Sequence, residues 1–152
     1  MTVIQQPEAY RGALLGNGPV SKATGTLAAT TVALFTITGG EVLVTAMWGV
    51  VTTSITVANS YKLQFNPTTG DTQDLAVATD IGGTDTLAGS LITTGLGTAT
   101  APRKIMTVGY SEPLRAVVSI GQIEHVSAGT DGAITWYLTW VPLTTGARLV
   151  AA

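Results

Sequence analysis

The stretch Gly132-Ala-Ile-Thr-Trp-Tyr-Leu-Thr-Trp-Val-Pro-Leu143 constrains the fold most, because its large side chains recur every second residue, the spacing of a strand. In an extended chain Ile134, Trp136, Leu138 and Trp140 share one face, and Thr135, Tyr137, Thr139 and Val141 share the other. Two of the three tryptophans therefore point the same way. A buried indole removes roughly 150 to 250 Å² from water, so this strand belongs at the centre of a β core. Asp131-Gly132 supplies the backbone angles of a tight hairpin before it. Pro142, which has no N–H to give a ladder, ends it.

Upstream, residues 1–25 are broken by Pro7, Gly12, Gly16, Gly18, Pro19 and Gly25 without a sustained period, which predicts an extended N-terminal arm. An arm of this kind either frays or orders along a partner, with Tyr10, Arg11, Leu14 and Leu15 as its anchors in the second case. Residues 26–152 make one domain. Leu27, Val32, Leu34, Phe35 and Ile37 lead to Gly39-Gly40, and Glu41 to Trp48 returns, the pattern of a hairpin. Val42, Val44, Ala46 and Trp48 then share one face, and Gly49 allows a bulge before Val50. Tyr61, Leu63 and Phe65 alternate with Lys62 and Gln64 in a further strand that Asn66-Pro67 ends, and Leu75 to Thr79 forms a short one. Small residues dominate from Thr86 to Pro102, predicting a long surface loop with a short strand at Leu91-Ile92; a short helix from Asp80 to Leu87 is the alternative. Ile105 to Val108 and Ala116 to Glu124 read as strands, the latter meeting the last one across Ser127 to Gly132. Short strands parted by Gly, Pro and Asx turns predict an all-β, jelly-roll-like sandwich.

Composition narrows the function classes. Charged residues make up 11 % of the 152 residues, against about 25 % in an ordinary soluble domain. A surface so poorly supplied with charge is expected to be partly covered by other subunits. The net charge of −2 and the scattered Lys and Arg give nucleic acid no electrostatic footprint. The absence of cysteine removes disulfides and thiolate metal sites. Val42 to Tyr61 is uncharged and long enough to cross a bilayer, but its Thr, Ser and Asn residues and β-branched alternation read as a half-buried strand. The first residues lack the basic and apolar regions of a secretory signal, so the expectation is a soluble product of the cytoplasm with no membrane partner.

Catalytic patterns are sparse. His125, the single histidine, follows Glu124 in a predicted strand, which sends the two side chains to opposite faces and away from an acid–base pair. No serine sits on a nucleophile turn that could use it. Asp71, Asp74, Asp80 and Asp85 stand in loops, where they form turns more readily than a calcium site and do not have EF-hand spacing. Among acids in strands, Glu41 and Glu124 are the plausible pair for glycoside hydrolysis. No phosphate-binding loop or dinucleotide fingerprint is present, and no cofactor is expected. Trp136 and Trp140 would suit a sugar platform if exposed, but the alternation around them favours the core.

Taken together, the glycine- and proline-punctuated start, Leu34-Phe-Thr-Ile-Thr-Gly-Gly-Glu-Val-Leu-Val44, Leu63-Gln-Phe-Asn-Pro-Thr-Thr-Gly-Asp71 and Trp136-Tyr-Leu-Thr-Trp-Val-Pro-Leu-Thr-Thr-Gly-Ala147 resemble small structural proteins of tailed bacteriophages. The resemblance is to capsid decoration (cement) proteins and head fibres. It implies a non-enzymatic β-rich homotrimer on the outer capsid surface, made in the host bacterial cytoplasm, that clamps subunits of the major capsid protein. No fixed motif comes with it. The alternative is a tail or fibre protein that binds host-surface carbohydrate through exposed aromatic rings.

Overall fold

A computed structural model describes residues 16–93 and 115–152, together with the backbone of 103–105. The predicted anchors Tyr10, Arg11, Leu14 and Leu15 lie outside these residues. The described chain contains strands and no helix, which disposes of the helical alternative for Asp80 to Leu87. The strands form two antiparallel sheets packed face to face, so the protein is a β-sandwich.

The first sheet holds β1 (Asn17–Thr26), β3 (Val42–Thr53), β6 (Leu91–Thr93), β7 (Arg103–Ile105), β8 (Ala116–Val118) and β10 (Ala133–Pro142), in the order β1-β10-β3-β6-β7. β8 lies beside Val42–Val44 at the start of β3, while β6 lies further along it. The second sheet holds β2 (Thr30–Thr38), β4 (Ser60–Pro67), β5 (Gln73–Asp80), β9 (Gly121–Ser127) and β11 (Arg148–Ala151), in the order β11-β2-β9-β4-β5.

As its alternation predicts, β10 is central. Ile134, Trp136, Leu138 and Trp140 are 0, 0, 0 and 8 % exposed, while Thr135, Tyr137, Thr139 and Val141 are half-buried on the outer side. The indole N–H of Trp136 crosses the core to donate to the Tyr61 hydroxyl at 2.8 Å, and the two rings stack at 6.1 Å. Removing this donor's ring from water without such a partner would leave a buried polar group unpaired, at a cost of about 1 to 3 kcal/mol. From the second sheet Leu34, Phe35, Ile37, Leu63 and Ile123 complete the core.

Several expectations are corrected. Residues 17–25, expected in the arm, belong to β1, which runs antiparallel along β10 from Asn17↔Trp140 to Thr26↔Ala133. Gly39-Gly40 does not close a hairpin, since β2 and β3 lie in different sheets; the same holds for Asp131-Gly132 between β9 and β10. Positive φ at Gly39 (73°) and Gly132 (78°) does turn the chain, but the turn carries it across the sandwich. The strand expected from Ala116 to Glu124 is split at Ser119-Ile120, where the chain passes from β8 to β9 and changes sheet. Finally, Trp48 does not share a face with Val42 and Val44. A register shift between Thr139 and Trp140 disrupts the ladder opposite Val44 to Ala46, after which Met47, Gly49 and Val51 point inward and Trp48 outward. One extra residue reverses the parity of everything that follows. The expected bulge thus precedes Gly49, which serves a different purpose: a Cβ there would sit 2.9 Å from Ile134 Cγ2 and 3.2 Å from the Trp136 ring.

Candidate functional site

The loops at the two ends of the sandwich are built differently. At one end, Asx side chains tie the loops inward. Asn59 Oδ1 accepts from Ser127 Oγ (3.1 Å), Ala128 N (3.0 Å) and Gly129 N (2.9 Å). Asp80 Oδ1 accepts from the backbone N–H groups of Asn59, Gly82 and Gly83 at 2.8 to 2.9 Å, and these bonds hold its carboxyl below the usual range. Asp131 accepts from the N–H and hydroxyl of Thr56, each at 2.8 Å, and is lowered for the same reason. These acids are turn makers, occupied with backbone donors. Asp74 instead pairs with Lys62 at 2.7 Å. Among the described residues no three His, Asp or Glu side chains gather as a metal site.

The opposite end is open. It carries a pocket of about 540 Å³ lined by Gly40 and Glu41 of the β2–β3 link, Thr68 and Thr69 of the β4–β5 turn, Ser119 and Ile120 of the β8–β9 link, and Thr144. Backbone bonds fix its walls: Thr68 N donates to Ile120 O, and Leu143 N to Glu41 O, both at 2.9 Å. Ile120 and, beside the pocket, Leu143 are 46 and 52 % exposed. Its size falls in the range of ligand pockets. Among the described residues the lining holds hydroxyls, one carboxylate and apolar surface, with no aromatic ring to stack on a sugar and no histidine to act as a base. β1 begins at this end, because Asn17 pairs with Trp140 near the end of β10.

A second feature is the outer face of the first sheet. The row Ser21–Tyr137–Trp48–Thr93 crosses β1, β10, β3 and β6, with Ala23–Thr135–Val50–Leu91 beside it. Trp48 and Tyr137 stack at 5.5 Å with 9° between planes. Towards the pocket end, Val141, Leu43 and Val117 form a further row, and the Thr45 and Thr139 hydroxyls bond each other at 2.7 Å. Leu91 is 42 % and Val117 64 % exposed. Sequence reasoning missed the Trp48–Tyr137 pair because it placed Trp48 on the same face as Val42 and Val44; Gly49 signals a bulge, but the local residues do not show that it falls ahead of Trp48.

The candidate catalytic groups stay apart. His125 and Glu124 point to opposite faces, as the alternation requires. His125 faces the core, stacked on Tyr61 at 5.3 Å, and neither ring nitrogen has a hydrogen-bond partner among the described residues. Burial lowers its pKa to about 4 and pushes the Tyr61 hydroxyl far up. Glu124, on the outer face of the second sheet, accepts from Gln64 Nε2 (2.7 Å) and Asn66 Nδ2 (3.2 Å). Glu41 stands at the end pocket, in the link between β2 and β3. Trp136 and Trp140 lie in the core and form no exposed platform.

No known protein family, curated protein or solved structure matches the chain.

Proposed function

We propose that the chain is a non-enzymatic virion structural protein of the capsid decoration type. In this reading it is a homotrimer that sits on the outer surface of a bacteriophage head and braces contacts between major capsid protein subunits. The observation that carries the reading is the open end of the sandwich, where a pocket lined by the exposed Ile120 and by Thr144, the neighbour of the exposed Leu143, lies at the end where β1 begins. The closed end, by contrast, spends its polar side chains on its own backbone. Exposed apolar groups around a concavity mark a surface made for a protein partner. The shortage of charge, 11 % of residues, supports burial of further surface between copies. Many symmetric copies would hold through modest single contacts, because linked sites gain effective concentration.

The alternative, a tail or fibre protein binding host-surface sugar, needs aromatic faces in solvent. Trp136 and Trp140 are buried, and Trp48 and Tyr137 are stacked on one another, so each has one ring face already occupied.

Co-sedimentation with empty capsids of the encoding phage tests the proposal. The double variant Ile120→Asp, Leu143→Asp is expected to lose capsid binding while keeping the wild-type strand spectrum and solution mass. Undiminished binding would remove this end of the sandwich from the interface.

A further inference from the structure

We propose that the outer face of the first sheet is the surface through which copies of this chain associate, with Trp48, Val50 and Tyr137 of each copy turned toward its neighbours around the assembly axis. The inference rests on the homotrimeric reading above and assigns its interface.

Three observations carry it. The first is chemical: from β1 across to β6 and β8 the face presents Leu43, Trp48, Val50, Leu91, Val117, Tyr137 and Val141, along with Thr, Ser and Ala, and the register brings a charged residue into these rows only at the β7 edge, where Arg103 follows Thr93. In a symmetric assembly identical groups meet near the axis, so a charged face would repel its own copies, and an uncharged one does not. Its Thr45 and Thr139 hydroxyls already satisfy each other, which lowers the cost of excluding water from them. The second is size. β1, β10 and β3 lie about 4.8 Å apart and run roughly 30 to 40 Å, and with the short β6 and β8 beside β3 they present on the order of 600 Å², about three-quarters of the ~800 Å² that each partner gives to a stable interface. The third is placement: the face runs along the sandwich, whereas the pocket opens at its end. A copy can therefore meet its neighbours sideways while its end stays free for the capsid.

The test is solution mass by light scattering on three proteins: the full chain, Val117→Asp and Val50→Asp. The full chain is expected at the mass of three copies. Each aspartate variant is expected to fall threefold to one copy with the strand spectrum unchanged. Val117 is 64 % exposed, so its variant does not threaten the fold even if Val50→Asp does. Acrylamide quenching gives a second reading, since Trp136 and Trp140 are buried and Trp48 alone faces outward. Quenching should rise in the single-copy variants. A full-length trimer whose Val117→Asp variant keeps its mass would overturn this interface and leave the capsid reading standing. A full-length monomer would overturn both the interface and the trimer. If Trp48 were shielded in that monomer and became quenchable on removal of residues 2–15, the cover of this face would be the chain's own N-terminal segment. Loss of capsid binding by Ile120→Asp, Leu143→Asp is scored separately and bears on the capsid reading alone.

Discussion

Burial holds the His125 imidazole neutral, with its pKa lowered from 6.5 to about 4. In the unfolded chain the same ring takes a proton near pH 6.5. Between these values the unfolded state binds more protons, so stability is fully present above pH 6.5 and is lost as pH falls toward 4. The whole shift corresponds to about 3 kcal/mol. Denaturant melts from pH 7 to pH 4 should show that loss. His125→Leu should flatten it and raise stability at pH 7 by about 1 to 3 kcal/mol, because an unpaired buried polar ring is replaced by an apolar side chain; a variant with the wild-type slope would put the proton uptake elsewhere. Gly49 makes the opposite demand on the core. Gly49→Ala places a methyl group against Ile134 and Trp136 and is expected to cost about 1 to 3 kcal/mol in a urea melt, the range for overpacking. The sequence already shows that Glu124 and His125 face opposite ways. It cannot show that the ring nitrogens find no hydrogen-bond partner among the described residues, since that depends on what other strands, Tyr61 among them, bring against the ring.

Strands were legible where alternation was unbroken. β10 and β4 carry their inner and outer sides as the period-two pattern requires. β3 was not, because the register shift opposite Val44 to Ala46 depends on its pairing with β10 and turns Trp48 to the outer face. Turns were legible as turns, but the sheet joined by the next strand was not: Gly39-Gly40 and Asp131-Gly132 reverse nothing within a sheet and instead link the two. The same distinction governs the N-terminal segment. β1 pairs along β10, Thr24 Oγ1 accepts from Ile134 N at 3.1 Å, and Lys22 donates to the backbone oxygen of Ala152, joining the edges of the two sheets. Deleting residues 2–15 should therefore leave the melting temperature close to that of the full chain. Deleting residues 2–25 should lower it sharply and promote aggregation, because β10 becomes a free edge. Equal melting temperatures for the two truncations would mean that β1 adds nothing to the sandwich.

At the scale of the whole molecule, the two-sheet architecture followed from many short alternating segments, while the location of the candidate surfaces did not, since both depend on which strands become neighbours. The open pocket needs four links to converge, and the outer apolar face needs β1, β10, β3 and β6 in one sheet. The distribution of charge then makes a further prediction. An assembly held by the outer face of the first sheet has no ion pairs among its described side chains to lose. Raising salt from about 0.1 M to about 1 M shortens the screening length from roughly 10 Å to 3 Å and weakens charge-held interfaces, whereas an apolar interface is unaffected or is strengthened by salts excluded from the surface. The solution mass should stay constant across that range, and dilution at high sulfate should dissociate the protein no more readily than dilution at low salt. Dissociation by sodium chloride alone would place the contact between copies on the charged surfaces, most directly on the outer face of the second sheet with Lys62, Asp74 and Glu124. In that event the Trp48–Tyr137 stack would be free for another partner.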